Sequence, residues 1–286
     1  MYKEGKTKKI EYLPFAAAAL LFLIALFFFL EAMLSKSLNY TFGFIGYGGT
    51  FKYSHVKTGG FSLSLYWAAQ YTGIIAMIII CLCRRAFCGI GKVKAVLTGI
   101  LLFVFGFIGA KLLYIAENLK SVLENGLTLG GVSFFGTVFL LPVFMPLIGL
   151  AFKVKPGRYL DFCTPAVLLM LSFIRLGCFM NGCCEGISFW FKGRPVTIPV
   201  QLLEAALDFA LLGIILSLNR AGKYTGRLYF VFMTGYGIFR FILEFIRNTP
   251  KTHLGLSNGQ WFSLISIAVG IIFLLIRKKE NIHEEN

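Results

Sequence analysis

"LDFCTPAVLLMLSFIRLGCFMNGCCEG", Leu160 to Gly186, is an apolar segment whose far end holds an arginine and three cysteines. The run Leu160–Met180 is long enough to cross the hydrocarbon core of a bilayer, which takes roughly 17–25 helical residues. A guanidinium inside such a run is costly, so Arg175 is expected to face an interior cavity and to mark a function. Asn181 and the glycines after it permit a sharp turn and close approach of backbone.

Working outward, seven further runs of the same character recur: Leu13–Leu34, Leu63–Cys83, Val93–Ile115, Val132–Phe152, Val200–Leu218, Leu228–Ile246 and Trp261–Ile276. Together the runs predict an all-α fold, a polytopic transmembrane helix bundle of about eight spans. The composition agrees, at 57% hydrophobic and only 14% charged, which excludes a disordered chain and an ordinary soluble domain.

The net charge of +15 raises the question of nucleic acid, but its distribution answers against it. Lys3, Lys6, Lys8 and Lys9; Arg84, Arg85, Lys92 and Lys94; Lys153, Lys155 and Arg158; Arg220, Lys223 and Arg227; and Arg277, Lys278 and Lys279 fall in alternate loops. This is the positive-inside asymmetry, and it predicts cytoplasmic N and C termini. The excess charge reads as topology and contact with anionic headgroups, with no nucleic-acid partner.

The first run is read as a retained helix, because "FLEAMLSKS" offers no small-residue cleavage pattern. Ser35–Ser62 reads as an outer loop rich in Gly and aromatic residues suited to the headgroup zone, and the acidic tail "ENIHEEN" as lacking structure. Of the seven cysteines, Cys178, Cys183 and Cys184 lie near the outer face, where disulfides persist. Adjacent Cys183 and Cys184 bond each other only with strain, so a bridge from Cys178 to either is the more plausible pairing. No CxxC pair has a downstream partner pair, so no structural zinc site is indicated and no metal is expected, with covalent thiol catalysis or metal binding at these cysteines left as the alternative to packing or a disulfide.

Five charged residues stand out within the spans: Lys111, Arg175, Glu204, Arg240 and Glu244, with Asp161 and Asp208 as weaker cases. Lys111 and Glu204 lie near helix ends, where snorkelling toward the interface is an equal alternative. In "GYGIFRFILEFIR", Tyr236, Arg240, Glu244 and Arg247 are spaced four, four and three apart, on one helical stripe. The pattern admits a structural ion pair. It also admits a guanidinium held by Glu244 and offered to a phosphate, with the Tyr236 hydroxyl beside it. Two arginines from two helices near the outer leaflet, Arg175 and Arg240, then make a site for a lipid headgroup.

Taken in order, these segments resemble the bacterial prolipoprotein diacylglyceryl transferase family. Its G-R-x-G-N-F-x-N-G signature is matched in "IRLGCFMNGCCEG" at Arg175, Gly177, Phe179, Asn181 and Gly182, with the trailing glycine at Gly186. "IPVQLLE" keeps Pro199, Gln201 and Glu204 of the family's H-P-[ST]-Q-L-Y-E. The Y-G-x-x-R-x-x-x-E-F-x-R helix is matched throughout from Tyr236 to Arg247, and "GQWFS", Gly259 to Ser263, closes the series. "GAKLLY" resembles G-A-R-L-x-Y with Lys111 in place of arginine. The chain departs from the family where G-G-x-S-F-H-G reads "GGVSFFG", with Phe135 at the histidine considered catalytically important. It departs again at Cys178 for an asparagine and Ile198 for a histidine.

The resemblance implies a seven-helix membrane domain over 63–276, preceded by an extra N-terminal transmembrane helix and outer loop (1–62) and followed by a cytoplasmic tail (277–286). It implies transfer of the diacylglyceryl group of phosphatidylglycerol to the lipobox cysteine of prolipoproteins in the bacterial cytoplasmic membrane, with no cofactor. Under it, Arg240, Glu244 and Tyr236 are the expected catalytic residues. Arg175, Asn181, Gly186 and Lys111 are expected to bind phosphatidylglycerol. Phe135 keeps open a non-catalytic lipid-binding paralogue, and the outer cysteines a thiol-redox membrane protein.

Overall fold

Lipid offers no partners to backbone N–H and C=O groups, so the apolar runs can only close their hydrogen bonds within helices. In a computed structural model, residues 14–26, 55–58, 61–126, 131–191, 194–252 and 254–284 are described. They form α1 (Pro14–Leu26), strands β1 (His55–Thr58) and β2 (Phe61–Ser64), α2 (Leu65–Cys88), α3 (Lys92–Glu117), α4 (Leu119–Asn125), α5 (Phe134–Ala151) and α6 (Pro156–Asn181). After these come β3 (Ser188–Phe191), β4 (Arg194–Thr197), α7 (Val200–Arg220), α8 (Leu228–Leu243), a 3-10 turn at Glu244–Ile246, and α9 (Asn258–Glu284).

Among the described residues, seven helical segments are long and apolar enough to span a membrane, and α1 is a shorter apolar helix. The protein is a polytopic membrane helix bundle. The expected first span, Leu13–Leu34, is described only over α1. Residues 27–34, most of the aromatic outer loop and the N-terminal lysines lie outside the described residues. Two small antiparallel hairpins were not anticipated: β1 pairs with β2 and β3 with β4. Of the acidic tail expected to lack structure, residues 280–284 are instead the end of α9, which runs to Glu284, and the last two residues lie outside the described ones.

Backbone contacts group the chain into two units. One comprises residues 77–167, 218–235 and 265–286, and it contains every basic connection from Arg84 to Arg227 named above. Its tightest seam joins α3 and α5 through glycine. A Cβ on Gly109 would meet the Gly136 carbonyl oxygen at 2.5 Å, and one on Gly136 would come closer still to the Gly109 carbonyl. Small residues at a membrane helix interface let backbones approach where no hydrophobic drive exists. Thr137 adds a hydroxyl donated to the Gly106 carbonyl at 2.6 Å. Gly136→Ala is expected to destabilise the protein by about 1–3 kcal/mol, the usual range for overpacking. Thermal unfolding in detergent checks this against Gly91→Ala, where nothing lies within 4 Å of an added Cβ.

Asp161, one of the weaker in-span charges, has a structural role in this unit. Its carboxylate accepts the backbone N–H groups of Gly226 and, at 2.8 Å, Leu228. A negative charge thus meets the unsatisfied donors at the start of α8. Tyr159 and Thr98 share a hydrogen bond at 2.7 Å, and the Tyr229 hydroxyl donates to the Val138 carbonyl at 3.0 Å.

The other unit holds the described parts of 1–76 with 168–217 and 236–264. Gly73 of α2 sits against Phe173 and Met170 of α6, with room for no Cβ. Phe15 of α1 lies over Gly213 of α7. This unit carries Arg175, Glu204, Arg240 and Glu244.

Candidate functional site

Three helices of this unit deliver charge to one point. α6 brings Arg175 within its last two turns, and α7 brings Glu204 within its first two. α8 brings Arg240 near its end and Glu244 in the 3-10 turn that follows. Arg247 comes next, in extended backbone.

The segment after α6 fixes that exit. Gly186 bridges to Arg247, the Ile187 N–H donates to the Ile246 carbonyl at 2.9 Å, and the Asn248 N–H donates to the Glu185 carbonyl at 3.3 Å. A Cβ at Gly186 would strike the Ile198 carbonyl at 2.6 Å, so only glycine allows the close approach. Gly186 therefore touches the site through the backbone of Arg247.

Glu204 is the hub. One carboxylate oxygen lies 2.9 Å from Arg175 Nε, and the other lies 3.4 Å from Arg240 Nη1 and 3.1 Å from Arg247 Nη1. Glu244 forms the second tier. Its Oε2 is 2.9 Å from Arg240 Nη2 and 3.5 Å from Arg247 Nε. Its Oε1 accepts hydroxyls from Thr249 at 2.8 Å and Ser257 at 2.9 Å. Gly259 makes room for this carboxylate, because a Cβ there would stand 2.9 Å from it. All five charged residues are buried, Glu204 completely.

The alternative of snorkelling for Glu204 is thereby overturned. Three guanidiniums, from α6, α8 and the extended segment after the 3-10 turn, hold it inside the protein, and moving it to the interface would cost each of them a partner. The expected Arg240–Glu244 pair is present and is part of a larger network. Within the ion pairs themselves three arginines face two carboxylates, one positive charge more than negative, while Asp208 and the Cys184 thiol lie within electrostatic reach of the same arginines.

That excess has a location. Arg240 engages Glu204 and Glu244, and Arg247 does the same. Arg175 meets Glu204 through Nε alone, so among the described residues its two terminal nitrogens make no ion pair. Those nitrogens form the half of the guanidinium fork suited to an anion. Tyr236, fully buried on the α8 stripe, lies within the electrostatic reach of Arg175, Arg240 and Glu204. Asp208, one turn beyond Glu204, is fully buried, and neither of its oxygens has a hydrogen-bond partner among the described residues.

Other expected residues have different surroundings. Asn181 is exposed at the last position of α6. Lys111 belongs to the other unit, where its Nζ donates to the Gly131 carbonyl at 3.2 Å and stands 5.0 Å over the Tyr114 ring. Phe135 is buried in that same unit and stacks on Phe139 with ring centroids 5.9 Å apart.

Beyond α6, Cys178, Cys183 and Cys184 are free thiols whose sulfurs all lie within 4.8 Å of one another. The Cys178–Cys183 or Cys178–Cys184 bridge expected from spacing is not formed. Hydrogen bonds from the Cys178 and Cys183 thiols, with the fields of Arg175 and Arg247, hold the Cys184 thiol well below its usual range. Burial alone raises the Glu185 carboxyl. Gln201 fastens the loop to α7, its side-chain amide donating to the Cys183 carbonyl at 2.7 Å. Arg247, Gln201, Ser257 and Thr249 were not singled out from sequence as site residues, although Arg247 and Gln201 lie in motifs read there.

The sequence matches the pattern of the family described as prolipoprotein diacylglyceryl transferase over residues 54–276. It is similar to the phosphatidylglycerol–prolipoprotein diacylglyceryl transferase of Clostridium tetani, at 28% identity over 229 residues, covering 74% of this chain and 92% of that protein. A second such protein, numbered 2, from Clostridium perfringens is 29% identical over 224 residues, covering 72% of this chain and 88% of the relative. One from Idiomarina loihiensis is 39% identical over 168 residues, covering 53% and 62%. The motifs that meet at Glu204 all fall inside the matched region, and the chain belongs to the prolipoprotein diacylglyceryl transferase family.

Proposed function

We propose that this protein transfers the diacylglyceryl group of phosphatidylglycerol to the lipobox cysteine of prolipoproteins, in the bacterial cytoplasmic membrane. The observation that carries the reading is the buried Arg175, whose terminal nitrogens make no ion pair among the described residues while Nε is held by Glu204. A phosphodiester headgroup brings one negative charge and the acceptor oxygens that this half of the guanidinium fork suits.

In the reaction, the thiol sulfur bonds to the glyceryl carbon that carries the phosphate. The carbon–oxygen bond breaks, and glycerol phosphate leaves with the bonding pair. Charge grows on the phosphate oxygens as it departs, so cations fixed beforehand stabilise the transition state more than the bound lipid. Arg175 is assigned to the phosphate directly. Arg240, clamped between Glu204 and Glu244, gives the second guanidinium, and Glu244 positions it. Tyr236 lines the same point, and Asn181 is assigned to the turn that leads from α6 into the thiol loop. Lys111 is assigned to the lipid by resemblance alone.

The thiol must also lose a proton, since the thiolate is the nucleophile. Phe135 has no basic atom to accept it, and the Glu204 and Glu244 carboxylates are occupied by arginines and hydroxyls. This observation favours a second reading, in which the chain binds phosphatidylglycerol without transferring from it. Purified protein, isotopically labelled phosphatidylglycerol and a lipobox peptide separate the two by mass spectrometry of the peptide. Thioether formation is the expected result, with a further rise in Phe135→His. Lipid bound with no modified peptide would establish the non-catalytic reading.

A further inference from the structure

The cysteine cluster has no place in the transfer chemistry, yet the chain is turned with some effort to assemble it. Gly182 and Cys184 both have left-handed backbone, at φ +65° and +62°. For a cysteine that conformation costs of order 1 kcal/mol or more and persists only where the surroundings impose it. The surroundings are identifiable. The Cys183 N–H donates to the Cys178 carbonyl at 3.1 Å, and Gln201 holds the Cys183 carbonyl from α7. The result folds a C-x4-C-C segment back so that three sulfurs face one another within 4.8 Å.

We propose that Cys178, Cys183 and Cys184 form a three-thiolate site for a single soft d10 metal ion of the Zn(II) or Cu(I) class. Thiolate selects such ions over hard cations. Zinc–sulfur bonds of about 2.3 Å set the sulfurs of a three-thiolate site roughly 3.8–4.0 Å apart. The observed cluster reaches that spacing by moving sulfurs less than about 1 Å, within reach of small side-chain rotations. A disulfide needs a pair at about 2.05 Å and leaves the third sulfur unused.

The burial gradient suits entry of an ion, since Cys178 is buried, Cys183 intermediate and Cys184 exposed. The cations fit as well. Three thiolates outweigh the charge of either ion, and Arg175 stands on the same helix end three residues before Cys178. The sequence carries no paired CxxC signature and left metal binding here as an alternative only, whereas in the structure one helix end and one tight turn supply all three ligands.

The test uses full-length protein purified anaerobically in detergent, with reductant removed. Zn(II) is titrated against a chromogenic chelator and Cu(I) against bicinchoninate, and transfer activity is not read. One ion per chain is expected for at least one of the two metals, and their relative affinities identify the preferred ion. Cys178→Ser, Cys183→Ser and Cys184→Ser should each weaken binding by at least about 100-fold, the upper range for losing even a supporting group. Cys81→Ser and Cys163→Ser should not change it. Should a serine variant fail to fold, the wild type still decides: the bound metal should shield Cys178, Cys183 and Cys184 from alkylation, mapped by peptide mass. Absence of stoichiometric binding for both ions, binding indifferent to the three loop substitutions, or a disulfide within the loop of the anaerobic protein overturns the site.

Discussion

Glu204→Gln is expected to be the most damaging single substitution in the protein. The glutamine keeps the shape of the side chain and removes the one carboxylate that Arg175, Arg240 and Arg247 share. The buried network then holds three guanidiniums and one carboxylate, and its excess rises from one positive charge to two. Removing one partner of a buried ion pair typically costs about 3–5 kcal/mol, because a charge is left uncompensated away from water. Three arginines lose a partner here, so the upper part of that range is expected. Thermal unfolding in detergent should show a large drop in Tm, and phosphatidylglycerol should raise it again by supplying the missing negative charge. A Glu204→Gln protein as stable as the parent would sink the claim that this carboxylate organises the site.

Much of this protein is legible in its sequence, for reasons of solvent. A bilayer forces apolar runs into helices, and seven of the eight expected spans correspond to described transmembrane helices. Their ends were less readable. α2 continues past the apolar run to Cys88, taking Arg84 and Arg85 into the helix, since a long basic side chain can extend toward the interface while its backbone stays helical. The β3–β4 hairpin escaped notice, although "SFWF" and "RPVT" flank a two-residue Lys-Gly step of the kind that joins short strands.

At the site, the stripe read in the sequence announced the Arg240–Glu244 pair because the partners are four residues apart, across the join of α8 and the 3-10 turn that continues it. Glu204 gave no such signal. Its partners sit 29 residues before it and 36 and 43 after it in the numbering, so only tertiary convergence identifies it as the hub. The thiol cluster was half legible. Proximity of Cys178 to Cys183 and Cys184 followed from spacing, but not the left-handed turn that brings all three sulfurs together.

Arg175→Gln should behave in the opposite way to Glu204→Gln, and the contrast separates a binding cation from a structural one. Without Arg175, two guanidiniums face two carboxylates, and Glu204 keeps Arg240 and Arg247 as partners. The ion-paired groups then balance, so the variant is expected to stay within about 1 kcal/mol of the parent in stability, removal of one of three crowded buried cations offsetting the lost contact with Glu204. Lipid recognition should fail. Losing hydrogen bonds to a charged phosphate typically removes about 2–3 kcal/mol, or roughly 30- to 150-fold in phosphatidylglycerol affinity and in kcat/KM. Arg175→Lys should fall between, retaining charge without the two-pronged donor geometry. The double variant Glu204→Gln/Arg175→Gln returns the network to one excess positive charge and should recover part of the stability lost by Glu204→Gln alone, with a coupling of about 0.5–3 kcal/mol. If Arg175→Gln instead unfolds the protein while its residual folded fraction still binds and transfers lipid normally, the free half of the guanidinium is not the phosphate contact.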